Sequence, residues 1–425
     1  MDVAFVVGRF PNLSETFILS QITGLIDRGH NVHIYGREPV EVPKKHDEIS
    51  HYRLLDRVEY IPTLPNSKEL RVQKALGLIG TIESPLHAWK ALRSLSFWKY
   101  GRIAANLQLW YAVCSLGNSE QSYDVIHAHF GPNGVLAAAL RDLGVFNGAV
   151  ITTFHGADMS RYVQRVGTSQ YDFLARTGDM FLPISRRWKE KLLRVGFPKS
   201  RTLVHHMGVD CGEIELSSVR VQDDTIRILS VARLTEKKGI EYGIRALAEI
   251  VGDSAVNSDN ELGVDVKYTI VGDGEQRVRL EKLMTNLGVE SSVCFAGWKS
   301  RKEVMKYLGE AHLFLAPSVT AESGDQEGIP VAIMEAMARG VPVVSTKHSG
   351  IPELVDHGTS GILVPERDVE SLADALQSLV ETPSRLPEMG RASRRIVEEE
   401  FNTEKLNDQL VGYYREALKG RLSPS

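Results

Sequence analysis

Apolar and polar positions alternate along this chain at two periods, and the places where the period changes mark its elements. Residues 2–8, DVAFVVG, are apolar almost without a break over the length of one strand, the pattern of a strand covered on both faces. After a loop with Pro11, and with Ser14 placed as a cap, residues 15–28 carry apolar positions at helical spacing, and residues 32–35 return to strand. Strand, helix and strand make a βαβ unit. The pattern weakens between 39 and 117, then resumes with strands at 124–129 and 149–155 around a helix at 135–143. Strands at 180–183 and 202–206 flank a helix at 185–195, and the polar stretch 211–224 reads as a linker. The second half repeats the grammar. Strands at 226–232, 268–271, 293–297, 312–316 and 341–344 alternate with helices, and three helices at 369–379, 388–401 and 403–418 close the chain. The expected fold class is α/β, with two Rossmann-like domains.

Composition narrows the choice of partner more than it alters the fold. At 425 residues the chain exceeds one ordinary core, and 43% hydrophobic with 24% charged residues is a globular balance. A net charge of −4 gives no reason to expect nucleic acid. Cys114, Cys211 and Cys294 are far apart with no CxxC, which fits a reducing compartment and argues against structural zinc. The first residues are not signal-like and no apolar run nears the ~20 residues of a span, so the cytoplasm is the expected location. One stretch points elsewhere. In residues 89–102, Trp89, Phe97, Trp98 and Tyr100 are interleaved with Lys90, Arg93, Lys99 and Arg102, which suits either a half-buried helix with snorkelling bases or a helix on an anionic membrane surface.

Candidate chemistry clusters where parallel strands end, since ligands of such sheets bind beyond their carboxyl ends. His129 and His155 close two strands of the first half, and Asp158 follows in H-G-A-D. In the second half, the strand at 226–232 delivers Arg233 and then Lys238 just before a helix, two cations suited to phosphate, whereas Lys237 suits a solvated face. Gly272 and Gly274 invite a dinucleotide reading that fails at the third glycine position, where Arg277 stands. Residues 322–344, ESGDQEGIPVAIMEAMARGVPVV, set Glu327 and Glu335 around the start of an otherwise apolar helix. Glu335 has two open readings, a helix pair with Arg339 four residues on or an acceptor for ligand hydroxyls; Glu327 either complements the helix dipole or stands at a ligand.

The run E327-G-I-P-V-A-I-M-E335, with A-M-A-R-G-V-P-V-V after it, resembles the E-x7-E signature of retaining glycosyltransferases of family 4, which have the GT-B fold. That resemblance implies two domains facing a central cleft, 1–210 on the acceptor side and 211–400 for the nucleotide sugar, with 401–425 a helix returning to the first domain. It implies that Glu335 holds the ribose, that Glu327 lies against the donor sugar beside Gly328, Ile329 and Pro330, and that Arg233 and Lys238 grip the diphosphate. Gly272 and Gly274 would lead toward the base, and V293-C-F-A-G-W298 is similar to the segment lining its pocket, with Phe295 and Gly297. His155 would reach the donor sugar, with His129 and Asp158 toward the acceptor. The loop R9-F-P-N-L-S-E-T-F17 resembles an S-E-T-F subgroup associated with bacterial exopolysaccharide synthesis, whose amides at Ser14, Glu15 and Thr16 would meet the diphosphate. Two positions depart from the family pattern, Met207 for an asparagine and Ser349 for a glycine.

The implied reaction is retaining transfer of a hexose from a nucleotide-diphosphate sugar, with UDP as nucleotide, to a hydroxyl of a saccharide or lipid-linked saccharide. No Asp-x-Asp occurs, so no metal and no cofactor are expected. The expected location is cytoplasmic, with peripheral contact at the inner membrane face through residues 89–102. A sugar-nucleotide epimerase of the same fold, or a non-catalytic GT-B partner, are the alternatives.

Overall fold

The computed structural model describes residues 1–12, 15–37, 47–117, 121–217, 225–256 and 265–422. Ser14 therefore lies outside the described residues, as do 38–46 of the charged stretch and 218–224 of the linker. The chain divides into two units, one of Met1–His205 with Asn407–Ser425 and one of His206–Leu406.

In the first unit, β1 (Asp2–Arg9), β2 (Asn31–Arg37), β3 (Val58–Tyr60), β4 (Gln121–His129), β5 (Phe146–Phe154) and β6 (Met180–Pro183) form one parallel sheet in the order β3-β2-β1-β4-β5-β6. Five consecutive residues of β1, Val3 to Val7, are buried, because helices cover both faces. Val3, Phe5, Ile22, Leu25, Ile34, Val125, Ile151 and Leu182 make the core together with Leu410, Val411 and Tyr414 of the last helix. That helix, Thr403–Leu422, leaves the second unit at Leu406 and packs on the first from Asn407, with the Tyr414 hydroxyl 2.7 Å from His127 Nδ1.

Two expectations for this unit need correction. Residues 202–206 form an extended segment with a single bridge, Phe181 to Thr202: Leu203 and His205 donate to the Phe181 and Pro183 carbonyls of β6, and Pro183 has no N–H to donate in return. Residues 89–102 are not one helix. They span Pro85–Ser94, Phe97–Tyr100 and the start of Arg102–Ala105, and the chain turns at Gly101 with φ +59°. Lys90 is only 3% exposed, with Nζ donating to the Gly144 carbonyl at 2.7 Å, and Lys99 pairs with Asp142 at 2.6 Å. Two of the four bases thus serve the fold, where the end of helix Gly131–Asp142 offers them acceptors.

The second unit repeats the arrangement. Strands β7 (Thr225–Val231), β8 (Asp265–Val271), β9 (Val293–Gly297), β10 (Leu313–Ala316), β11 (Val343–Thr346) and β12 (Gly361–Val364) are parallel in the order β12-β11-β10-β7-β8-β9. Ile226, Ile228, Leu247, Tyr268, Ile270, Leu313, Leu376 and Leu379 lie in its core. In both sheets the order reverses beside the first strand, between β1 and β4 and between β7 and β10. Loops leaving those strands diverge, so the crevice at their carboxyl ends is where a ligand is received.

Candidate active site

In the second unit, the loops after β7 and β10 meet at this reversal. The short turn Glu236–Lys238 brings two lysines inward before the helix Ile240–Val256. Glu327, 7% exposed, receives Lys238 Nζ at 3.1 Å on Oε2 and Lys237 Nζ at 3.8 Å on Oε1. Burial pushes its pKa up, but the charges of Lys238 and Lys237 outweigh that and hold the carboxyl below its usual value. Lys237 also pairs with Asp325 at 3.2 Å, so it belongs to the site and is not the solvated charge the sequence suggested. Adjacency had hidden it: neighbours on a tight turn need not point apart. Arg233 is exposed and makes no ion pair among the described residues.

Glu335 rides on the helix Val331–Ala338, whose Ile333, Met334 and Met337 are fully buried and fix it to the sheet. At roughly 1.5–3 kcal/mol for each buried large apolar side chain, this is a rigid mount. Partial burial raises the Glu335 pKa against the charge of Arg301, and no hydrogen bond satisfies the carboxylate among the described residues. The ordinary pair with Arg339 is not formed, since that guanidinium donates to the Glu215 carbonyl at 2.9 Å. Pro330 stands at the N-cap position, where its side chain makes no capping bond, and Ile329 is buried at 5% exposure.

Gly272 and Gly274 have a packing reason to be glycine. A Cβ on Gly272, at φ +135°, would lie 1.8 Å from the Ala232 carbonyl oxygen, and one on Gly274 would lie 2.6 Å from that of Leu234. The loops after β7 and β8 are joined there by Leu234 N–H to Asp273 O at 2.9 Å, and Gly272 N–H reaches Gly297 O at 2.9 Å. Phe295 lies beneath the Arg277 guanidinium, 5.8 Å from its ring centre, while Trp298 is 59% exposed.

In the first unit, His129 Nδ1 and His155 Nε2 are 3.0 Å apart at the ends of β4 and β5, with the rings of Phe17 and Phe130 4.7 and 4.4 Å from that of His155. Burial drives His155 down to about 3 and His129 well below its ordinary value, so both imidazoles are neutral near pH 7. Asp158 is 3% exposed and accepts the amides of Gly131, His155 and Gly156. Burial still pushes it up to about 6, and its place is to pin two loops together. Thr16 opens the helix Thr16–Asp27 after Glu15, whose side chain makes no cap; burial raises Glu15 to about 7 against a hydrogen bond from Asn12. Among the described residues, no group of three or more His, Cys, Asp or Glu is placed to hold a metal, and no helix is long and apolar enough to cross a membrane.

The family model described as Glycosyl transferases group 1 matches residues 213–396, and that described as Glycosyltransferase Family 4 matches residues 14–213. Across 416 residues the chain is 40% identical to the Escherichia coli K12 protein named as a colanic acid biosynthesis glycosyltransferase, WcaL, covering 97% of this chain and 98% of that one. The chain belongs to this glycosyltransferase family. The amylovoran biosynthesis glycosyltransferase AmsK of Erwinia amylovora is 37% identical to this glycosyltransferase, over 95% of this chain and 96% of its own. Two solved structures share its GT-B fold: Anabaena HepE in complex with UDP, with TM-score 0.68 at 18% identity over 98% of this chain and 100% of that one, and a Thermosynechococcus elongatus sucrose-phosphate synthase, with 0.68 at 19% over 99% and 100%.

Proposed function

We propose that this glycosyltransferase moves a hexose from a UDP-sugar to a hydroxyl of a saccharide or lipid-linked saccharide in exopolysaccharide synthesis, with retention at the anomeric carbon and without a metal. The observation that carries the reading is the Lys237–Glu327–Lys238 cluster at the strand-order reversal, with a carboxylate eight residues on, on a rigid helix, that no hydrogen bond satisfies among the described residues. Glu335 accepts the ribose hydroxyls. As the bond from the sugar to the diphosphate breaks, Arg233 and Lys238 take up the charge growing on the leaving phosphate. The acceptor oxygen forms its bond from the same face, and its proton passes to the departing phosphate, so no separate base is needed. Glu327 holds the donor sugar. The relatives named for colanic acid and amylovoran support the acceptor class, and the HepE complex with UDP supports the nucleotide.

The acceptor's lipid side fits an apolar patch on the inserted helices. Leu92, Phe97 and Trp98 are 67%, 52% and 89% exposed, with the Phe97 and Trp98 rings 4.6 Å apart and the Arg93 guanidinium 4.4 Å over half-exposed Trp89. A thermal-shift panel of UDP-, GDP- and ADP-sugars tests the donor, and proton NMR of the first-formed product reads its anomeric configuration. Stabilisation by UDP-sugars alone, retained configuration and activity in EDTA are expected. An inverted product, dependence on added magnesium, or turnover without acceptor would overturn the reading. In the same preparation, Trp98→Ser with Arg93→Gln and Arg102→Gln releases the protein from anionic liposomes and leaves UDP affinity intact; equal binding by variant and parent removes the membrane from the proposal.

A further inference from the structure

The loop after β11 departs from the family pattern at Ser349, and that residue sits at φ +48°, a left-handed conformation that strains a side chain other than glycine's. Glycine would relax it, yet the serine hydroxyl has a use: it donates to the Glu327 carbonyl at 2.7 Å. The preceding residue holds the other side of the same amino acid. His348, fully buried, takes the Glu327 amide on Nε2 at 3.0 Å, and its Nδ1 stands 2.7 Å from Glu366 Oε1. Because Nε2 accepts, Nδ1 carries the proton and donates it to Glu366. Glu366 is itself fixed by the Thr320 amide at 2.7 Å, and Gly350 N–H reaches the Gly328 carbonyl at 3.3 Å. Both backbone polar groups of Glu327 are therefore bound by consecutive side chains of one loop, and the histidine is braced from behind.

We propose that His348 and Ser349 are positioning residues, which lock the Glu327 backbone so that its carboxylate meets the donor sugar in one orientation. This rests on the assignment of Glu327 to the donor sugar. Strain at Ser349 is accepted because the fixed peptide is worth more to the site than a relaxed turn is to stability.

Ser349→Ala and Ser349→Gly separate position from stability. Both remove the hydroxyl, but only the glycine variant relieves the left-handed backbone, so it melts above the alanine variant. Both lower kcat/KM for the nucleotide sugar chosen by the donor panel by about 5-fold, the loss of one neutral hydrogen bond, while the Kd of UDP without sugar stays unchanged. Activity that follows melting temperature, or UDP affinity that falls in step, would overturn the proposal. A second arm needs no donor: nitrogen-15 NMR of labelled histidine, assigned through His348→Gln, reads the His348 tautomer. Protonation on Nδ1 is expected, and protonation on Nε2 would overturn the clamp. If no sugar of the panel binds the parent, the donor assignment of Glu327 fails, while the tautomer still decides whether its backbone is clamped.

Discussion

Replacing Glu335 by alanine separates the ligand role of this carboxylate from any structural one. Glu335 has no hydrogen-bonded partner among the described residues, it is raised in pKa by burial, and its helix is anchored by Ile333, Met334 and Met337. Removing it costs the fold no internal hydrogen bond, so the unliganded variant should melt at or above the parent. Binding behaves oppositely. A ribose hydroxyl held by a charged carboxylate is worth about 1.5–3 kcal/mol, and losing one such bond raises the Kd of UDP about 10- to 150-fold. In a thermal-shift assay with UDP at 100 times the parent's Kd, the ligand stabilises the parent by about 2.7 kcal/mol; a variant binding 100-fold more weakly gains only about 0.4 kcal/mol. Isothermal titration gives both dissociation constants directly. A folded variant with unchanged UDP affinity would refute the assignment, and a variant that melts well below the parent would show Glu335 to be structural.

Lys238→Ala and Arg233→Ala should each lower kcat by about 10²–10³ with little change in acceptor KM, as expected for charges needed most when the diphosphate leaves. Lys238→Ala should also lower the melting temperature, because it takes the nearest cation from buried Glu327, whereas exposed Arg233 can be removed without that penalty. Equal melting of the two variants would count against the ion pair. The third test is acid stability. His127, His129 and His155 have folded pKa values below the unfolded value, so their contribution is lost as pH falls below about 6.5, while Glu15 at about 7 and Asp158 at about 6 are raised and gain in the same window. Burial raises Glu335 and Glu59 as well and lowers His30, so the two sets of groups oppose one another across this window. Urea melts at stepped pH measure the slope, and Glu15→Gln, which removes one of the opposing acids, should lose more stability than the parent as pH falls from 7 to 5; the same slope in variant and parent would contradict the raised Glu15.

Most of the strands were legible because parallel strands covered by helices on both faces must be apolar nearly throughout, as in β1 and β10. The motif helix was legible for a related reason: one glutamate among buried apolar neighbours has to serve something, and Glu335 stands without a hydrogen-bonded partner among the described residues. The sequence pattern failed where it was ambiguous in physics. Bases among aromatics describe a membrane-facing helix and a snorkelling one equally well, and only the nearness of Gly144 and Asp142 decided that Lys90 and Lys99 turn inward. Two adjacent lysines look alike in a string of letters, and the tight turn before Gly239 aimed both at Glu327. Serine at 349 read only as a departure from the family's glycine, whereas its hydroxyl lies on the Glu327 carbonyl. Periodicity and residue chemistry, which act between near neighbours, determined by themselves the elements and the families of groups available for catalysis. The pairings of Glu327 with Lys237, Lys238, His348 and Ser349 join loops up to 90 residues apart, and sequence period carries no information at that range, so only the tertiary fold could decide them.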